Sequence, residues 1–171
     1  MANNKPIFPV SLKWGVIISA IMIILTIVMY VLSITQSFVV GLFTLLLLML
    51  LFFPCVKDYR DVNGTMSFGQ GLLVGIIAGV ISGFIVGGFT YVLYAFIDPG
   101  MLETILETTE EQMLAWGLSE DQIETAMESA RENTTPWSMA FNNIISFPIL
   151  ALIGSLIASL IFKREFKEEI F

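Results

Sequence analysis

Long uncharged apolar runs alternate with short polar segments along this chain, and each run has the length of a membrane-crossing helix. The first runs from about Trp14 to Ser33, and the second from about Phe38 to Val56, with Pro54 near its end. Ile34 to Ser37 is a short, polar, uncharged link, which predicts a close hairpin of the first two spans. Lys57 to Gly64 then reads as a compact charged loop with a turn signal at Asn63-Gly64. The third run, from about Ser67 to Ile97, would be about 45 Å long as a helix. That exceeds a hydrocarbon core of about 30 Å, so it must tilt or protrude. The fourth run, about Trp137 to Phe162, follows Thr135-Pro136, a capping residue with proline at the first helical position. Pro148 inside it predicts a kink. The backbone groups freed there call for Ser146 or a neighbouring helix as partner.

The segment 98–135 breaks this pattern. Asp98-Pro99 reads as an N-cap with proline at the first position, with Ile97 and Leu102 as a hydrophobic staple. Leu102, Ile105, Leu106, Met113 and Trp116 fall roughly on one helical face. Gly117 stands where a C-cap glycine belongs. Ser119 to Gln122 forms a capping box, flanked by Leu118 and Ile123. A second stripe follows at Ile123, Ala126, Met127 and Ala130. The expected element is an amphipathic helical hairpin. The predicted fold class is therefore an all-α integral membrane protein, a single membrane unit of four transmembrane helices with the hairpin inserted between spans three and four.

Composition agrees with the pattern. Of 171 residues, 56% are hydrophobic and 13% charged, against about 25% charged in soluble domains. The first run is too long for a signal-peptide core and is read as a retained span. Topology follows from the basic residues. Lys5 and Lys13 precede span one, Lys57 and Arg60 lie between spans two and three, and Lys163, Arg164 and Lys167 follow span four. With four spans these regions share one side, which should be cytoplasmic, and both termini lie there. The hairpin is then extracytoplasmic. It carries ten acidic residues against one basic residue, Arg131, a net charge of −9.

Gly71, Gly75, Gly79, Gly83 and Gly87 recur every fourth residue along the third run. Such small-xxx-small spacing lets a neighbouring backbone approach closely. The partner is either another span of the same chain or a second copy in a homo-oligomer. Four residues advance about 400° on a helix, so the stripe drifts about 40° per step and about 160° over its length. That drift predicts two or more neighbours, or a single helix crossing at an angle.

The candidate chemistry is sparse. Histidine is absent and Cys55 is the only cysteine, so the commonest general base is missing and no intramolecular disulfide can form. No Asp, Glu, Lys, Arg or His lies within the four runs, which disfavours a proton-coupled carrier or ion pump. Asn142 and Asn143 are expected to hydrogen-bond between helices. No cofactor or nucleic-acid signature is visible, and the hairpin lacks the ligand spacing of a calcium loop. Tyr59, Arg60 and Asp61 form the candidate cytoplasmic interaction site, beside a helix start near Ser67 that could hold a lipid phosphate. Met101, Leu102, Met113, Trp116 and Met127 are the candidate extracytoplasmic contacts for a membrane or periplasmic protein partner. The same residues would otherwise pack the hairpin or rest on the lipid bilayer.

Tyr59-Arg60-Asp61 precedes Asn63-Gly64 and Ser67-Phe68-Gly69-Gln70-Gly71. Tyr94-Ala95-Phe96-Ile97-Asp98-Pro99 follows, then the acidic segment and a last span ending in Phe162-Lys163-Arg164. In this order, over almost the whole chain, these parts resemble a bacterial family known as domain of unknown function 4199, small four-span membrane proteins mainly of Bacteroidota. The resemblance implies the same architecture and carries no known activity, so it transfers no catalytic residue. The expected role is a non-enzymatic inner-membrane protein acting in the envelope or through a protein partner. The alternative is a small transporter or channel component for a neutral solute.

Overall fold

A computed structural model of the chain describes residues 6–163, apart from 33 and 35–37. Lys5, Arg164, Lys167 and all of the 34–37 link except Ile34 lie outside the described residues. The described chain is helical. Four helices are long and apolar enough to cross a membrane: α1 (Ile7–Val31), α2 (Phe38–Asn63), α3 (Phe68–Val92) with a π-helical turn at Leu93–Ile97, and α6 (Pro136–Phe162). Two shorter helices, α4 (Met101–Ala115) and α5 (Glu120–Asn133), stand between α3 and α6.

The helix ends follow local chemistry where no distant group competes. Ser67 starts α3 with a reciprocal capping box, its hydroxyl accepting from the Gln70 N–H at 3.3 Å while Gln70 Oε1 accepts from the Ser67 N–H at 2.9 Å. Thr135 caps α6 by accepting from the Ser138 N–H at 3.2 Å, and Pro136 occupies the first helical position. Gly117 stops α4 at φ +78°. Its N–H donates to Leu114 and that of Leu118 donates to Met113, the paired bonds of a Schellman stop. Gln122 Oε1 accepts from the Ser119 N–H at 3.1 Å and opens α5.

Three expected ends are corrected. α1 begins at Ile7 rather than near Trp14. Pro9 falls in its first turn, where an N–H has no intrahelical partner to lose. α2 does not stop near Pro54, and the expected loop from Lys57 is helix as far as Asn63. Tyr59 is buried there at 1% exposure, and the turn waits for Gly64 at φ +73°. Asp98 does not cap α4, which starts after Gly100. Instead α3 overruns through its π-helical turn, the Asp98 N–H donates to the Leu93 carbonyl at 2.8 Å, and the Asp98 carboxylate receives the Tyr30 hydroxyl at 3.0 Å.

Cross-helix contacts set the directions of the four long helices. The Ser11 hydroxyl donates to the Val74 carbonyl at 3.0 Å and that of Ser82 to the Gly15 carbonyl at 3.0 Å, so α1 and α3 run parallel. The glycines of α3 meet α6 in reverse order, Gly71 at Ser159 and Gly87 at Ala140, so that pair is antiparallel. Gly154 of α6 faces the Met49 carbonyl of α2, and Phe53 stacks edge-on with Phe162 at 6.4 Å. α2 and α6 are therefore parallel. The helices alternate in direction, and α3, the most enclosed of the four, touches all three others.

Candidate functional site

The structure offers three places to look: the seam of α3, the end that holds Lys13 and Arg60, and the helix pair α4–α5 at the opposite end.

All five glycines of the ladder face α6. A Cβ at Gly75 would strike Ser155, and one at Gly79 would strike the Cβ of Ala151 while meeting the Phe147 carbonyl at 3.1 Å. At Gly83 the obstacle is the Asn143 carbonyl at 3.1 Å, and at Gly87 the Ala140 carbonyl at 2.8 Å. Of the two expected outcomes the single partner holds along this stripe, while other faces of α3 meet α1 and α2. α6 carries its own row at Ala140, Ile144, Ala151, Ser155 and Ser159, so both rows turn at nearly the same pitch and follow each other. α1 meets a different face of α3, where Gly15 lies against Ile81 and the Ala78 carbonyl. Polar groups in the seam are mostly paired. Asn143 Nδ2 donates to the Thr90 hydroxyl of α3 at 3.0 Å, and the Ser155 hydroxyl donates to the Ala151 carbonyl at 2.5 Å. Asn142 is a correction. It faces outward and accepts from the Ser146 hydroxyl at 3.0 Å, within its own helix. Ser146 is thus not committed to the backbone freed by Pro148, and α6 runs unbroken through that proline. Ser159 Oγ is fully buried beside Gly71 with no hydrogen-bond partner among the described residues.

At the Lys13 end, Asp58 joins two helices. Its Oδ2 accepts from Lys13 Nζ at 2.5 Å and from Trp14 Nε1 at 2.8 Å. A carboxylate one helical turn beyond buried Cys55 has to find donors, and α1 supplies both. Arg60 pairs with its neighbour Asp61 at 2.5 Å and lies over the Phe162 ring at 5.1 Å, tying α2 to α6. Of the candidate residues Tyr59, Arg60 and Asp61, the first is enclosed and the other two pair with each other, Asp61 on the exposed side. At the α3 start near Ser67 the capping box already takes the Gln70 N–H, one of the donors an anion would use. Sequence reasoning missed the Lys13–Asp58–Trp14 clasp. The signal was an aspartate and a lysine at matching edges of adjacent apolar runs.

At the far end, Tyr91 meets Phe96 and Trp137 edge-on, and Trp137 stacks on Phe141. Phe96 and Trp137 remain largely exposed, as aromatic residues at a membrane–water boundary do. Beyond them α4 and α5 pack chiefly on each other. Ile123 and Met127 are buried between them at 6% exposure each. Met127 is therefore largely enclosed where α5 packs on α4 rather than open to a partner. Met101, Leu102 and Met113 are half-buried, and Trp116 is 67% exposed at the tip. An open groove of about 680 Å³ lies along the pair. Its apolar lining is Leu114, Ile123 and Met127 and its charged lining Glu110, Glu120, Glu124, Glu128 and Arg131. None of these carboxylates is in an ion pair among the described residues.

Four apolar helices of alternating direction, clasped by ionic groups at one end and extended by a polar helix pair at the other, have the build of a multi-pass helical membrane protein. The chain belongs to the family described as "Protein of unknown function (DUF4199)", which matches residues 13–164. No curated protein and no solved structure matches it.

Proposed function

We propose that this chain is a non-enzymatic protein of the bacterial cytoplasmic membrane whose extracytoplasmic hairpin, 98–135, engages a protein partner in the membrane or envelope. One observation carries the reading. The α4–α5 pair is strongly acidic, packs mainly with itself, and lies at the opposite end of the long helices from Lys13, Lys57, Arg60 and Lys163. Those basic residues mark the cytoplasmic side. The long helices then act as a four-helix bundle that holds the hairpin clear of the membrane. The glycines of α3, in the manner of GxxxG packing, are spent against α6 inside one chain, which leaves them no role as a homo-oligomer face.

The test is a photo-crosslinking amino acid in place of Trp116, activated in native membranes, with the adduct identified by mass spectrometry. A discrete adduct with another envelope protein is expected. Absence of any adduct from Trp116 and from a second probe at Leu114 would overturn the reading. Proteoliposomes holding this protein alone should pass no neutral solute, and measurable flux would move the assignment to a small transporter.

A further inference from the structure

We infer that the α4–α5 groove is the docking surface for a basic amphipathic helix of a partner protein, an inference that rests on the hairpin reading above. Three observations define the occupant. Leu114 is 57% exposed in the groove beside the nearly buried Ile123 and Met127, so the partner must bring an apolar stripe to meet it. Glu120, Glu124 and Glu128 stand at intervals of four on α5, spanning about 12 Å, or two helical turns. Like charges so spaced destabilise a helix, and no cation of the chain pairs with them among the described residues. A facing helix with Lys or Arg every fourth residue matches this spacing, and a helix is the element that carries an apolar and a basic stripe side by side. Arg131 closes the row and sets a direction. The occupant's negative C-terminal end belongs beside Arg131 and its positive N-terminal end beside Glu120. The same charge pattern disfavours an anionic lipid surface as occupant.

The probe is a synthetic amphipathic helical peptide with leucines on one face and lysines every fourth residue beside it. It is titrated onto the full-length protein in zwitterionic nanodiscs. Glu120→Gln with Glu124→Gln and Glu128→Gln removes three groove charges. Glu103→Gln with Glu107→Gln and Glu132→Gln removes three charges outside the groove. We expect the groove triple to weaken binding at least tenfold and the control triple less than threefold. Equal losses from the two triples would reduce the effect to net charge and overturn the groove. A peptide with glutamates in place of the lysines that binds as well would also overturn it. A spin label at Leu114→Cys that responds to lipid-phase oxygen rather than to an aqueous relaxant would show the groove lying on the bilayer, and would overturn it too. The Trp116 crosslink separates the two readings. If that crosslink forms while the groove triple leaves peptide binding intact, the partner reading stands and the groove inference fails. If neither probe crosslinks, the partner reading itself falls.

Discussion

Two glycines of α3 that differ by nine positions have opposite surroundings. At Gly79 a methyl group would run into Ala151 and the backbone of Phe147 and Pro148, which cannot yield without moving α6. At Gly88 a Cβ would meet nothing within 4 Å. Gly79→Ala should therefore cost about 1–3 kcal/mol through overpacking. Gly88→Ala should be neutral or gain about 0.5–1 kcal/mol by restricting the unfolded backbone. Unfolding midpoints in one detergent check both, and a ladder that served only composition would show equal effects. The five glycines were legible in the sequence as a close-approach surface, because spacing alone reveals it. Their partner was not, since α6 states its matching row only weakly: Ile144 and Phe147 interrupt its small residues.

Helix ends divide by the distance of the groups that decide them. Ser67, Gly117, Ser119 and Thr135 act on neighbours within a few residues, and each stands at the end the sequence indicates. Asp98 looked equally convincing as a cap, but its carboxylate is taken by Tyr30, 68 residues away. Lys57 to Asn63 looked like a loop because it is charged, yet Asp58 is held by donors on α1. Of the candidate contact residues, Trp116 at the tip was legible, whereas the enclosure of Tyr59 and Met127 came only with tertiary packing. The Tyr30–Asp98 bond is the one polar tie between α1 and the base of the helix pair among the described residues. Tyr30→Phe should leave the unfolding midpoint nearly unchanged and raise amide exchange at Met101 and Leu102 severalfold. Asp98→Asn, which keeps an acceptor oxygen, should change exchange less than Asp98→Ala.

For the whole molecule, the contacts place the charged clasp at one end and the helix pair at the other, and the direction proposed above for that axis rests on the distribution of Lys and Arg. A reporter inserted at Ser119 should read outside and one fused after Phe171 should read inside; agreement between the two would refute the four-span arrangement. The antiparallel seam between α3 and α6 also has a consequence for how the protein is made. A chain emerges from the ribosome in order, so α3 enters the bilayer before its glycine face has anything to meet. The contacts with α1 through Ser11, Gly15 and Ser82 can form at once. The glycine face must wait until the acidic segment and α6 have been synthesised. During that interval a groove of bare backbone is open to lipid, or to any insertion chaperone that shields it. The order of synthesis thus makes the packing of α6 against the glycine face the last contact open to the four long helices.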